Sequence, residues 1–173
     1  MEKTNWFSFV SMFLFLFLTS CSSVKMGKDL NIVPEMTKID NEALKMFPEA
    51  KKGFVRKVIA LEKMENENNY KIEFYTGKDF MVDCNYHRLS GELEKQSLKG
   101  YGYHYYEFSG SADLFSTRRA CPDTSLVEKF ISSTPVIVPY NRSVPLVVYI
   151  PADMDLRFNI WTKGGKEFQA DSF

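Results

Sequence analysis

Two histidines and three cysteines are all that 173 residues contain of those types, and both scarcities narrow the chemistry. A triad-type hydrolase needs a nucleophile, a base and a group that orients the base. Only His87 and His104 could serve as base, and neither sits in a recognisable catalytic motif. Asp83, His87 and Ser90 are neighbours in sequence, but three polar residues around a turn read as a hydrogen-bonded cluster, so no enzyme is expected. The same shortage excludes structural zinc. Cys84 and Cys121 stand far apart, and with the two histidines they offer none of the paired spacings of such a site. Neither a metal nor another cofactor is called for. An excess of charge is missing too: Lys and Arg total 22, Asp and Glu 22, leaving no field to draw the chain onto nucleic acid. Gly100-Tyr101-Gly102 begins like a dinucleotide fingerprint, but Tyr105 occupies the third glycine position and strand-like residues follow. The aromatic run 101–108 lacks the basic surround that base stacking requires and reads as a core strand. Internal repeats and low-complexity tracts are absent.

What is present begins at the amino terminus. An apolar stretch over 6–18 closes in Leu18-Thr19-Ser20-Cys21. It is shorter than the roughly 20 apolar residues that span hydrocarbon, and it reads as a secretion signal. The closing tetrapeptide resembles the bacterial lipoprotein signal, in which small residues admit the peptidase and the cysteine carries the lipid. The alternative is an uncleaved anchor. Cysteine arithmetic favours lipid, because an odd count in an exported chain needs explaining. With Cys21 lipidated, Cys84 and Cys121 remain, and an oxidising compartment should join them. Ser22 after the cysteine, where an aspartate would retain the protein, resembles the sorting pattern for the outer membrane. The expected location is therefore the cell envelope, lipid-anchored at the periplasmic face of the outer membrane or at the cell surface.

The chain divides into a signal over 1–21, a tether over 22–46 rich in polar residues, and a domain over 47–173. A short amphipathic helix fits 42–47, ended by Pro48. Beyond it the pattern is strand-like. Val55 to Leu61 is one run; Tyr70, Ile72 and Phe74 alternate with Lys71 and Glu73; and 80–84 follows Gly77-Lys78-Asp79, which predicts a hairpin. Further strands are expected over 100–108, 134–138, 146–150 and 156–161, whereas 125–131 fits a helical face or a strand flank and stays unassigned. Six or seven short strands and 15% aromatic residues imply an all-β sandwich or barrel.

One segment carries the functional signal: Leu114-Phe115-Ser116-Thr117-Arg118-Arg119-Ala120-Cys121-Pro122. A peptide inhibits a protease, instead of merely feeding it, when the scissile segment is held extended beforehand, because rigidity removes the ordering cost of binding. A bridge three residues past Arg118 would supply that rigidity. An arginine there fits the acidic pocket of a trypsin-like enzyme through a bidentate guanidinium–carboxylate contact. Spacing alone also allows a solvated dibasic surface or a processing site.

Other segments add a resemblance. In order over about 47–161 come Pro48-Glu49-Ala50-Lys51-Lys52-Gly53, Val82-Asp83-Cys84-Asn85-Tyr86-His87-Arg88-Leu89, Gly91-Glu92-Leu93-Glu94, Gly100-Tyr101-Gly102-Tyr103, Ser116-Thr117 with Ala120-Cys121-Pro122-Asp123, and Pro145-Leu146-Val147-Val148-Tyr149. This set is similar to ecotin, a family of periplasmic serine protease inhibitors. The resemblance implies an antiparallel β-sandwich or partly open barrel with long surface loops, a Cys84–Cys121 disulfide, and a reactive loop of Phe115, Ser116, Thr117, Arg118, Arg119 and Ala120 with its scissile bond at Arg118–Arg119. It makes Asn85, Tyr86, His87 and Arg88 a supporting loop, the lesser alternative being that these residues only close a hairpin. It implies a homodimer through a C-terminal arm beginning over 155–161, with Trp161 in that arm, and a second, weaker protease-binding surface of Tyr101, Gly102, Tyr103, Asn141 and Arg142. Two departures stand out. Pro139 and Ser143 occupy places where basic residues are typical, and the tail 162–173 bears little similarity. The rival reading is an envelope lipoprotein of the same β fold that binds a ligand or scaffolds a partner.

Overall fold

A computed structural model describes residues 41–172. The signal, Cys21 and the tether as far as residue 40 lie outside the described residues. Among the described residues no helix is long and apolar enough to cross a membrane.

The domain opens with one helical turn, α1 (Asn41–Leu44), shorter than the pattern over 42–47 suggests. Ten strands follow: β1 (Phe54–Ile59), β2 (Tyr70–Val82), β3 (His87–Leu89), β4 (Glu92–Ser97), β5 (His104–Ser109), β6 (Leu114–Ser116), β7 (Val127–Ser132), β8 (Val136–Pro139), β9 (Leu146–Pro151) and β10 (Asp155–Thr162). One sheet has the order β1-β9-β5-β4. In a second, β2 pairs with β10, β7 and β8, and β3 with β6 forms a separate two-stranded ribbon. The class is all-β, as the composition indicates. Every ladder is antiparallel except β5 with β9, whose connection through β6, β7 and β8 is long enough to return the chain in the same direction.

Side chains at alternate positions of β2 (Ile72, Phe74, Val82) meet Tyr106 and Phe108 of β5 and Val148 and Ile150 of β9 in the main core. Strand β9 is buried on both faces, since Val147 and Tyr149 point the other way into a second cluster with Leu44, Phe47 and Leu98. That explains why Leu146-Val147-Val148-Tyr149-Ile150 is continuously apolar instead of alternating. The segment before β1 covers this outer face, and the Tyr149 hydroxyl donates to the Pro48 carbonyl.

The hairpin expected at Gly77-Lys78-Asp79 does not form. Strand β2 runs unbroken through it, pairing Asp155–Thr162 on residues 70–77 and Val127–Ser132 on residues 77–82. Gly77 is there because the neighbouring strand comes close: a Cβ on it would lie 2.3 Å from the Ile131 carbonyl oxygen. A glycine inside a strand marks such an approach as readily as a turn. The strand expected over 100–108 begins only at His104, because Gly100 and Gly102 take positive φ in a turn that the Leu98 N–H closes on the Tyr103 carbonyl. The unassigned 125–131 contributes β7, and the polar β4 was not foreseen at all.

Candidate functional site

The ribbon β3–β6 carries the site. Its register pairs His87 with Ser116, Arg88 with Phe115 and Leu89 with Leu114. The ribbon is closed at its base where two backbones cross: the Ser90 N–H donates to the Asp113 carbonyl (2.8 Å) and the Asp113 N–H to Ser90 Oγ (2.7 Å). A Cβ on Gly110 would sit 2.6 Å from Gly91 Cα, so no side chain fits at that crossing. Beyond Ser116 the chain leaves the ladder, and residues 117–120 are exposed.

These exposed residues are nevertheless held. A disulfide joins Cys84 to Cys121 with a Cα–Cα distance of 5.7 Å. Asn85, only 8% exposed, lies beneath the segment. Its Oδ1 accepts from the Thr117 hydroxyl (2.9 Å) and from the Arg119 N–H (2.8 Å). Its Nδ2 donates to the Arg119 carbonyl (3.2 Å) and to Asp83 Oδ2 (2.9 Å). The asparagine amide is therefore satisfied on both sides, as burial of such a group demands. The Thr117 N–H donates to the Tyr86 carbonyl (3.0 Å), and the Tyr86 N–H donates back to Thr117 Oγ1 (3.1 Å). Arg118 thus stands exposed between two residues that are both fixed.

Asp83 in turn orients Asn85. Its Oδ1 accepts from the Asn85 N–H (2.9 Å) and lies 2.8 Å from His87 Nε2, whose side chain is 7% exposed. The backbone N–H of Asn85, then its side-chain amide, then His87 hold the Asp83 carboxyl below the usual carboxylate range. Ser90 does not join Asp83 and His87; it faces Ser111 Oγ at 3.1 Å at the ribbon base. Arg88 extends over the Phe115 ring, 5.9 Å from its centroid, and Tyr86 is 66% exposed beside Thr117. The reading from sequence placed Asn85 among supporting residues but had no signal for its contacts with both Thr117 and Arg119, nor for Asp83 as their anchor. The spacing Asp83-x-Asn85 was the available hint, since an aspartate commonly accepts from the N–H two residues on.

Of the residues assigned to a second surface, Gly102, Tyr103 and Asn141 line one open groove of about 310 Å³ with His104 and Lys95. Tyr101 is exposed outside that lining. Arg142 turns to Glu67, its N–H donating at 3.4 Å and its Nε 3.9 Å from the carboxylate. Trp161 lies on β10, exposed, donating through Nε1 to Glu73 Oε2 (3.1 Å) and lining a groove of about 520 Å³ with Ile137 and Lys71. Among the described residues no group of three His, Cys, Asp or Glu side chains is placed to hold a metal.

A β body that displays an exposed arginine just beyond a two-stranded ribbon, with the flanking residues fixed from beneath, belongs to the class of loop-presenting scaffolds. The family model for ecotin matches residues 43–163. Ecotin of Pseudomonas fluorescens is 40% identical over 122 residues, covering 69% of this chain and 77% of the relative. Ecotin of Pseudomonas putida is 41% identical over 121 residues, covering 67% and 74%. The chain belongs to the ecotin family, whose members inhibit serine proteases and are not enzymes.

Proposed function

We propose that this chain is a substrate-like inhibitor of trypsin-like serine endopeptidases, with Arg118 entering the primary pocket and Arg118–Arg119 as the scissile bond. The observation that carries the reading is the fixing of Thr117 and Arg119 on either side of an exposed arginine. A segment ordered in advance loses little conformational freedom on binding, so contact energy goes into affinity. The guanidinium finds a carboxylate in a trypsin-like pocket, whereas an apolar pocket would desolvate it without a partner.

The domain over 47–173 acts as the inhibitor, held to the membrane by lipid on Cys21, at the periplasmic face of the outer membrane or at the cell surface. Two copies pair through the arm bearing Trp161. The groove at Gly102, Tyr103 and Asn141, with Tyr101 beside it, forms the second protease contact. Arg142, engaged by Glu67, contributes less there than a free cation would. Linking two contacts raises the effective concentration of the second.

Titration of the protein against trypsin tests this. Stoichiometric inhibition that is lost in Arg118→Ala supports the loop mechanism, and equal inhibition by the variant rejects it. Comparable inhibition of trypsin and elastase, unchanged by Arg118→Met, would reject the specificity role of Arg118.

A further inference from the structure

We propose that the protease this chain fits carries carboxylates on both flanks of its primary pocket, one flank meeting Arg119 on the leaving side and the other meeting Arg88 beside Phe115. The inference rests on the inhibitor reading above and narrows the partner. The chain has six arginines, and their positions divide them. Three lie on the body and are engaged. Arg56 donates to the Leu44 carbonyl (3.4 Å), Arg142 Nε stands 3.9 Å from Glu67, and Arg157 Nη2 stands 3.9 Å from Asp79. The other three, Arg88, Arg118 and Arg119, are exposed at the ribbon and the segment beyond it. Among the described residues none of these three guanidiniums lies within ion-pair distance of a carboxylate.

The acids nearest to them in sequence are committed to other donors. Asp83 holds Asn85 and His87, Asp113 accepts from the Ser111 hydroxyl, and Asp123 accepts from the N–H and hydroxyl of Ser125. Carboxylates of this end are therefore bound to their own chain, while the guanidiniums project outward. With formal net charge zero over the whole chain, selection acts at contact and not through a long-range field. One arginine satisfies a trypsin-like primary pocket. A second and third, docked on a cleft without acids, would lose water and gain no partner. The same two favour a cleft with carboxylates and penalise one with lysines, which is how a charge beside a binding site sets specificity. Arg119 follows the scissile bond directly, so its side chain enters the first subsite on the leaving side. Arg88 lies over the Phe115 ring at 5.9 Å, and stacking leaves the in-plane N–H donors of a guanidinium free for a bidentate carboxylate.

The test uses three trypsins that bear glutamate, glutamine or lysine at one position lining the first leaving-side subsite, each quantified by active-site titration. Inhibition constants of the wild-type chain should fall in the order lysine, glutamine, glutamate, with glutamate roughly tenfold tighter than lysine, the lower end for close charge pairs across an interface. High salt should compress the series. Arg119→Gln should abolish the discrimination and Arg119→Lys should retain most of it, a contrast that a merely structural role for this residue does not produce. A second series, varied beside the subsite that receives Phe115, should lose its preference for glutamate in Arg88→Gln and keep it in Arg119→Gln. A wild-type chain that inhibits all three leaving-side trypsins equally overturns the proposal, without reliance on any variant of this chain folding. Equal discrimination by wild type and Arg119→Gln overturns it as well. Failure to inhibit any of the trypsins rejects the inhibitor reading together with this inference, whereas inhibition that depends on Arg118 across a flat series rejects the acidic flanks alone.

Discussion

Replacing Gly77 by alanine should cost this domain more than any comparable change at an exposed glycine. A Cβ there would meet the Ile131 carbonyl oxygen at 2.3 Å and two carbons of the Phe130 ring at 2.8 and 2.9 Å. Ordinary contact is about 3.5 Å, so the carbonyl must withdraw by roughly 1 Å. It belongs to β7, which is laddered to β2 from Val82–Val127 to Gly77–Ser132. The ring cannot swing aside freely, because the Arg157 guanidinium stacks on it at 3.5 Å. Overpacking of this kind costs about 1–3 kcal/mol, and a weakened ladder bond adds about 1. The lower unfolded-state entropy of alanine returns about 0.4–1 kcal/mol. A net loss of about 2–3 kcal/mol lowers Tm by roughly 8–12 °C for a domain of this size. Urea unfolding with the disulfide intact should move its midpoint without changing m. Gly165→Ala serves as the comparison, since nothing lies within 4 Å of a Cβ there. A Gly77→Ala protein melting with the Gly165→Ala protein would refute the close approach of β7.

Two further outcomes concern the anchor of the loop. Asp83 has a folded pKa below its unfolded value, so its contribution is complete above about pH 4 and disappears as pH falls through the depressed folded value. Wild type should therefore exceed Asp83→Asn in stability at neutral pH, with the gap closing in acid; a gap independent of pH refutes the linkage. Removing the bridge in Cys84→Ser/Cys121→Ser frees a loop of 37 residues' separation and should cost about 4 kcal/mol in urea unfolding.

The parts of the fold legible from sequence were those in which pattern and burial coincide. Alternation at Tyr70, Ile72 and Phe74 and the apolar run over 146–150 gave strands at the right places. Strand β4 was invisible because Glu92-Leu93-Glu94-Lys95-Gln96-Ser97 lies at a sheet edge and buries only Leu93. Charged side chains are what keep such an edge from pairing with another chain, so the residues that protect it also hide it. Gly77 misled because turn chemistry and close approach use the same residue. At the site, the cysteine pair followed from counting, whereas the loop around Arg118 was singled out by the resemblance, since its spacing to Cys121 alone equally allowed a solvated dibasic surface. The contacts of Asn85 with residues 32 and 34 positions away could not follow from either, because they depend on how the ribbon closes at its base.

That ribbon is laddered to neither main sheet, and every residue from Leu114 to Ala120 is exposed. None of them adds to the hydrophobic clusters that stabilise the domain. Exposed positions without special contacts usually tolerate exchange within about 0.5 kcal/mol. Arg118 can therefore be replaced through successive generations with little effect on folding yield, while Asn85 and the cysteine pair keep any replacement on display. On the proposed reading, a lineage with this architecture can track a changing protease by drift at one codon, because the letter that would name the target is written where the fold does not read it.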